Sequence, residues 1–463
     1  MPLVNPHAAG IDVGSKEHYV AIGQGLDQVK SFGVYAQDLT NLAQYLISHG
    51  ITTVAMESTG AYWQNLFSEL IKAGLDVTLC NGRFTKHVSR KKTDVLDCQW
   101  IQKLHSLGLL PSCFLPDEQT EKLRTLCRHR SNMIAQKADT SHKMQKYLKL
   151  LNFRLDVVVR DITGLTGMKI IADICAGNLD PKSLAKHRHY NCRKSEEEIA
   201  KALVSNQRQD YLFGLEQEYE RHLFYQSKIA ACDAKIKEVL DQIIKEQQEP
   251  VDELPKKKTY KRHNKNSIQG IDLNVVAYQF FGGVDLLTIP GVSFSTVLSV
   301  MSEIGKEGFD KFPTAKHFCS WLRLAPNNRV SGGRVLSHKI PKGSHRLKIA
   351  LRNAANAVGN LKDSDLGKFF KKIAFRKGRQ AAITATARKI AVIIWNMVTK
   401  KQPYQPQNEY LFLDQKRRQI ALIRKRIESY GIDPNELGIF TRTRYQEAYQ
   451  KRTKKNTDNQ EFT

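Results

Sequence analysis

The chain has 463 residues, of which 41% are hydrophobic, so it is long enough for two or three domains with separate cores. Its 72 Lys and Arg against 46 Asp and Glu give a net charge of +26, which indicates a polyanion partner such as nucleic acid, although a solvated basic surface would give the same total. No apolar run reaches the roughly 18 residues of a membrane span, no secretion signal is recognisable, and the eight cysteines form no Cys-x-x-Cys pair. We therefore expect a cytoplasmic, nucleoid-associated protein and neither a membrane protein nor a disulfide or zinc scaffold.

Residues 1–112 are predicted to form an α/β domain. The stretch "AGIDVGSKEHYVAIG" (9–23) has the pattern of two strands joined at a Gly-Ser turn. Further strands are predicted at 52–59 and 75–81, and helices at 38–50, 61–74 and 93–108. Thr93 is placed to cap the last of these helices. Strands that alternate with helices indicate a central sheet with flanking helices.

Residues 113–254 are predicted to be helical, with a smaller helical insert at 160–205. Apolar residues near heptad spacing are Leu212, Leu215, Tyr219, Ile229, Ile236, Leu240 and Ile243. The polar residues His222, Gln226 and Asp233 interrupt this pattern. Two long antiparallel helices, a coiled coil with a partner chain, or the wall of an ordinary helical bundle would each fit.

The remainder divides by composition. Residues 255–280 are predicted to be a basic linker that is either solvated or in contact with phosphates. Residues 281–402 are predicted to be a second folded unit, mainly α-helical, and 403–463 a basic helical tail with a disordered end. Within the folded unit, residues 361–401 hold 11 Lys or Arg against 2 Asp, which favours a pair of helices facing nucleic acid.

Four carboxylates stand out in the α/β part of this basic chain: Asp12, Glu57, Asp94 and Asp97. Asp12 lies in the first strand, Glu57 closes a strand, and the other two open the helix at 93–108. If the sheet is of the ribonuclease H type, these elements converge at one sheet edge and form a pocket for Mg²⁺ or Mn²⁺. Two such ions would clamp the attacking and leaving oxygens of a phosphodiester. Each carboxylate alone has a structural alternative, such as a turn residue or a charge at a helix N-terminus.

The order of these motifs carries a resemblance. "GIDVGSKEHYVAI", "AMESTGAYW" and "KKTDVLDCQWIQKL" resemble the catalytic domain of the DEDD insertion-sequence transposases, the "one-ten" family. The resemblance implies a RuvC-like fold related to Holliday-junction resolvases, with the four family carboxylates at Asp12, Glu57, Asp94 and Asp97. Cys98 stands where the family usually has Ala.

The second half resembles the C-terminal transposase domain of the same family over residues 289–355. The family's Ser-Gly pair falls on Ser331-Gly332, and the resemblance implies that Ser331 is the nucleophile. Ser293 stands where the family usually has the second Gly of its Pro-Gly-x-Gly turn. Glycines beside the serine would let a DNA backbone approach closely.

The basic residues around these motifs are candidates for binding nucleic acid. Phosphates are the expected ligands of Arg90, Lys91, Lys92, Arg329, Arg334, Lys339, Lys342 and Arg346. In this interpretation the metal cluster polarises the scissile phosphate, Ser331 attacks it, and a phosphoserine ester joins protein to DNA.

The resemblance also implies an assembly and a guide. Family members act as tetramers with a site drawn from different protomers, so we expect this chain to form a dimer to tetramer. They use a structured bridge RNA that pairs with donor and target DNA, so base pairing would set specificity. Two alternatives stay open. A RuvC-like junction resolvase or structure-specific nuclease would share the carboxylates but use metal-activated water, and a nucleic-acid-binding scaffold would not need an intact site.

Overall fold

The computed structural model describes residues 2–85, 93–246, 264–337, 339–343, 345–361, 364–406, 420, 422–423 and 426–432. The chain divides into two compact units, Met1–Leu115 and Pro116–Thr463. Arg90, Lys91 and Lys92 lie outside the described residues, as do residues 255–263 of the predicted basic linker and most of the predicted tail.

The N-terminal unit is a mixed α/β domain built on a central sheet, as predicted, and this sheet has five strands. Its strands are β1 Ala8–Val13, β2 His18–Ala21, β3 Val29–Phe32, β4 Thr53–Glu57 and β5 Asp76–Cys80. Its helices are α1 Ala36–Ser48, α2 Trp63–Lys72, α3 Gly82–Thr85 and α4 Asp94–Ser106. The strand order is β3-β2-β1-β4-β5, in which β1, β4 and β5 pair in parallel and β2 pairs antiparallel with both β1 and β3.

The two faces of this sheet are covered by different helices. Ile11 and Met56 point into a core shared with the leucines of α1 and α2. Because side chains alternate along a strand, Gly10 and Asp12 face the opposite side, where α4 packs. A β-carbon at Gly10 would collide with the backbone of α4, so this glycine permits helix and strand to touch.

The C-terminal unit is mainly α-helical. Its first helices are α5 Glu118–Leu150, α6 Leu155–Val158, α7 Leu165–Cys175, α8 Pro181–Ala185, α9 Glu196–Ala202 and α10 Gln209–Glu246. Next come α11 Leu273–Phe280, α12 Phe294–Glu303 and α13 Ala315–Trp321. The chain then forms the hairpin β6 Arg329–Ser331 and β7 Arg334–Ser337, followed by α14 Arg346–Val358, α15 Asp365–Lys377 and α16 Arg379–Lys400.

Helices α5 and α10 form a long antiparallel pair within one chain, as one of the three interpretations of the heptad pattern predicted. Arg130 pairs with Asp233 at one level, and Thr140 Oγ1 lies 3.1 Å from His222 Nδ1 further along. Both Asp233 and His222 are buried, so two of the three polar residues that interrupt the heptad lie on the seam, whereas Gln226 is exposed. The short helices α6 to α9 pack a separate core against the far end of the pair.

Helix α12 is tied to α5 by an ion pair whose carboxylate is buried. Glu303 is 4% exposed, and its carboxylate accepts hydrogen bonds from Arg128 Nε at 3.0 Å and Nη2 at 2.7 Å. Arg124 Nη2 donates to the Glu303 carbonyl at 2.8 Å. These bonds compensate the cost of burying the charges and hold the two helices in one register.

Helix α16 is the central helix of the C-terminal end and packs against α13, α14 and α15. Among the described residues it is the one helix long and apolar enough to cross a membrane by length and composition. Within its most apolar 18-residue window, 44% is buried, and the core helix of a globular unit passes the same test.

Candidate active site and nucleic-acid interface

Asp12 and Glu57 lie side by side at the carboxyl ends of two parallel strands. Ile11 of β1 pairs with Met56 of β4, so Asp12 and Glu57 occupy the next position of each strand. Neighbouring strands are about 4.8 Å apart, and equivalent positions in parallel strands face the same side. Both residues are half-buried, on the side that α4 covers.

The first turn of α4 brings Asp94 and Asp97 to the same edge of the sheet. Thr93 caps this helix as predicted, accepting a hydrogen bond from Leu96 N at 3.3 Å. The helix runs antiparallel to β1 and β4: Cys98 lies over Gly10, and His105 lies 2.9 Å from Thr53 at the start of β4. Its N-terminus therefore lies at the end of the sheet that carries Asp12 and Glu57.

The negative charge of these carboxylates contributes to the raised pKa values of two neighbouring side chains, Cys98 and Tyr19. Cys98 is fully buried, and burial raises the pKa of its thiol to about 12, with the charges of Asp12 and Asp97 acting in the same direction. The pKa of Tyr19 is raised chiefly by its hydrogen bond to Glu17, with a further contribution from Asp94. Tyr19 pairs with Asp12 across β1 and β2. One edge of the sheet thus gathers Asp12, Asp94 and Asp97.

The carboxylate of Glu57 is oriented by two hydroxyl donors. Thr85 Oγ1 donates to Oε2 at 2.7 Å, and Thr59 Oγ1 donates to Oε1 at 3.1 Å. Gly82 lies so close that a β-carbon there would collide with Oε1. Helix α3, which the sequence did not predict, therefore serves to position Glu57.

The chemical type of the candidate ligands suits a hard divalent cation, because every one of them is a carboxylate oxygen. Among the described residues, no three His, Cys, Asp or Glu side chains lie close enough together to hold a metal ion. The structure thus brings the four carboxylates to one edge without closing them into a ligand cluster.

Ser331 lies at the tip of a separate two-stranded hairpin in the C-terminal unit. It ends β6 and pairs with Arg334 of β7, across a turn formed by Gly332 and Gly333. Both glycines have positive φ values, +53° and +73°, which match the tight turn that joins two strands directly. The backbone conformation places the serine next to the turn, where its side chain is exposed.

The predicted phosphate ligands near this hairpin are exposed. Arg329 and Arg334 flank the serine on the two strands. Lys339 and Lys342 follow in the connection to α14, and Arg346 is the first residue of that helix. Solvent-exposed cations along one segment are suited to contact phosphates.

Sequence reasoning missed Tyr19, Thr85 and Gly82 as residues of the carboxylate edge. Tyr19 is recognisable once the antiparallel register of β1 and β2 is known, since it lies opposite Asp12. Thr85 comes from a helix only four residues long, too short for a periodic pattern.

Comparison with known proteins agrees with this two-part arrangement. Residues 9–153 match a DEDD family described as "Transposase", so the class is that of transposases. Residues 285–371 match the "Transposase IS116/IS110/IS902 family", and the two matched ranges together cover half of the chain. The chain belongs to this IS110-type family of transposases.

A curated relative shows the same likeness over a shorter range. The "Transposase for insertion sequence element IS1111A" of Coxiella burnetii (strain RSA 493 / Nine Mile phase I) is 30% identical over 122 residues. The match spans 25% of this chain and 33% of that relative.

Proposed function

We propose that the protein is a DNA transposase, a site-specific recombinase that cuts and rejoins DNA at the ends of an insertion sequence. The observation that carries this proposal is the placement of Asp12 and Glu57 on adjacent parallel strands, with the first turn of α4 against the same edge. Membership of the transposase family, matched on both units, supports it.

The N-terminal unit is proposed to have a RuvC/ribonuclease H-like fold. Support comes from the strand order, in which three antiparallel strands are extended by two parallel ones, and from the helix that crosses β1 beside the carboxylates. In this fold the acidic residues that act on phosphodiesters lie at that edge of the sheet.

Asp12, Glu57, Asp94 and Asp97 are the proposed ligands of Mg²⁺ or Mn²⁺. When bound, such ions supply positive charge to the non-bridging and leaving oxygens of a phosphodiester. Glu57 is already oriented by Thr59 and Thr85, which lowers the cost of ordering that ligand.

Ser331 is the proposed nucleophile. Its Oγ would form a bond to phosphorus as the bond to the leaving strand breaks, and the new strand end takes up a proton. The resulting phosphoserine ester conserves the phosphodiester energy, so the incoming strand end can be joined without hydrolysis. Arg329 and Arg334 flank the serine and are the proposed holders of the scissile phosphate.

The proposed partners are donor and target DNA, a structured bridge RNA and further copies of this chain. The net charge of +26 supports polyanion binding, since each bound phosphate releases counterions and favours association. A cytoplasmic, nucleoid-associated location is proposed on the same ground.

The test is a search for a covalent adduct. The purified full chain is incubated with its flanking-region RNA, target DNA and Mg²⁺, and denaturing gels are probed for protein joined to DNA. We expect an adduct with the wild-type chain and none with Ser331→Ala, with Ser337→Ala on the same hairpin as the matched control. An adduct that persists in Ser331→Ala would refute the serine mechanism.

The rival proposal, a RuvC-like junction resolvase or nuclease with a water nucleophile, makes a different prediction for the same experiment. Ser331→Ala would then retain cleavage, and no adduct would form with any variant. Asp94→Asn separates the metal assignment from the serine assignment, because full activity in that variant would refute the metal cluster alone.

A further inference from the structure

The turn between α15 and α16 presents an aromatic ring to solvent. Phe375, in the last turn of α15, is 94% exposed. A single exposed apolar residue is ordinary on a protein surface, so exposure alone does not indicate a binding site. The surroundings of this ring are what distinguish it.

Phe375 continues a stripe of lysines along α15. Lys368, Lys371, Lys372 and Phe375 stand at relative positions 0, 3, 4 and 7, which lie on one face of a helix, and all four are exposed. The opposite face carries the buried Leu366 and Phe370. The stripe is thus a line of positive charge that ends in an aromatic ring.

The turn that carries the ring is anchored to the body of the unit. Gly378 joins the two helices with a positive φ of +81°, a conformation that favours glycine. Arg379 Nη2 then donates to Asn356 Oδ1 at 2.8 Å, and its guanidinium lies over the Phe370 ring at 5.6 Å. Arg352 Nη2 reaches Gln380 Oε1 at 3.3 Å. These contacts fix the backbone turn that follows Phe375 before any ligand arrives.

We propose that Phe375 is a base-stacking residue: its ring stacks on an unpaired nucleobase while Lys371 and Lys372 contact the adjoining phosphates. Aromatic rings with cations beside them are the recurring means by which proteins hold single-stranded nucleic acid. The lysine stripe argues for this occupant over an apolar protein surface, because burying these lysines against apolar atoms would leave their charges without partners. The inference rests on the proposed function and specifies which form of nucleic acid this surface takes.

The test uses oligonucleotides that carry 2-aminopurine, whose fluorescence is quenched when the base stacks. The full chain is titrated into single-stranded DNA, single-stranded RNA of the same sequence and a fully paired DNA duplex. We expect quenching in at least one single-stranded probe, and Phe375→Ala to abolish it and weaken that binding about fivefold or more. Duplex affinity should change less than twofold, and Phe375→Trp should restore quenching.

Two matched variants complete the design. Phe213→Ala removes another exposed phenylalanine, on α10 and 64% exposed, and should leave all three affinities unchanged. Lys371→Ala combined with Lys372→Ala should weaken duplex and single strand alike, because phosphates are common to both. The loss of affinity caused by Phe375→Ala is compared between the single-stranded DNA and the single-stranded RNA. The probe with the larger loss identifies which nucleic acid supplies the stacked base.

The outcomes separate this inference from the proposed function. If the wild-type chain binds the probes and Phe375→Ala binds and quenches identically, the stacking role is refuted while the transposase proposal stands. A change in oligomeric state of Phe375→Ala without loss of quenching would make the ring a protein contact and also refute stacking. If the wild-type chain binds none of the probes, both proposals fail.

Discussion

At the scale of single residues, the carboxylate edge depends on small neighbours that do not themselves carry charge. Gly10 lets α4 touch β1, and Gly82 leaves room for the Glu57 carboxylate. Thr85 and Thr59 both donate hydrogen bonds to the Glu57 carboxylate. Thr85 is buried, at 7% exposed, whereas Thr59 is exposed. Ser331, in contrast, is made available by a turn of two glycines.

Thr85→Val should reduce the rate of Mg²⁺-dependent strand cleavage while the protein stays folded. The change keeps the shape of the side chain but removes the donor to Glu57, so the carboxylate loses its orientation, and the free energy of unfolding should fall by about 1 kcal/mol. Cleavage rates and thermal unfolding are measured in parallel, with Thr59→Val as the exposed comparison. Equal rates in Thr85→Val and wild type would show that the hydroxyl does not position Glu57.

At the scale of elements, the long helix pair is specified by buried polar contacts as well as by apolar spacing. Arg130 is 7% exposed and Asp233 3% exposed, and Arg130 Nη2 also donates to the Asn266 carbonyl at 3.1 Å. The backbone N–H of Gln269 donates to Asp233 Oδ2 at 3.0 Å, so this pair joins α5, α10 and the segment after them.

Asp233→Ala should lower the free energy of unfolding of the C-terminal unit by about 3–5 kcal/mol, because it leaves the Arg130 charge buried without its carboxylate. Glu238→Ala on the same helix breaks the exposed pair with Lys235 and should cost within about 0.5 kcal/mol. Denaturant unfolding of both variants provides the measurement. Similar losses in the two variants would contradict the role assigned to the buried pair.

His222, on the same seam, should make stability depend on pH. Burial lowers its pKa to about 4, and the charges of Lys137 and Lys265 act in the same direction. The folded state therefore keeps this histidine neutral while the unfolded chain protonates it near its ordinary pKa of 6.5. Its contribution is fully present above pH 6.5 and is lost as the pH falls from 6.5 towards 4.

Thermal unfolding from pH 7.5 to 4.5 tests this expectation. His222→Gln does not titrate, so its melting temperature should fall less steeply with acid than that of the wild type. The slope should not vanish, because burial also lowers the pKa of His345 to about 4. An identical slope in the variant would exclude His222 as a source of acid sensitivity.

At the scale of the whole molecule, positive charge is the dominant property, with 72 basic against 46 acidic side chains. Such an excess acts on nucleic acid through many phosphate contacts and not through one site. The acidic residues of the proposed active site are a local exception within this field.

Binding of the full chain to duplex DNA should therefore weaken steeply with salt. If about six phosphates are contacted, affinity should drop roughly 10³-fold between about 50 and 200 mM NaCl. Fluorescence anisotropy across this range measures the slope, and Lys371→Ala combined with Lys372→Ala should make it shallower. A flat salt response would contradict phosphate-dominated binding.

The sequence by itself determined four of the five strands of the N-terminal sheet and the start of α4, because alternating apolar residues and a Thr93 cap are local signals. The family resemblance, carried by motifs in a fixed order, also singled out Asp12, Glu57, Asp94, Asp97 and Ser331. The local patterns missed β3, whose four residues do not alternate between buried and exposed, and α3, which is a single helical turn.

Only the tertiary structure decided which residues meet across the chain. The register of β1 against β4 places Asp12 beside Glu57, and no local pattern encodes a pairing between residues 45 positions apart. The same holds for His222 and Asp233, which interrupt a heptad in the sequence yet lie buried on the α5–α10 seam with polar partners. Such contacts depend on long-range packing, in which the free energy of burial and of hydrogen bonding overrides local preference.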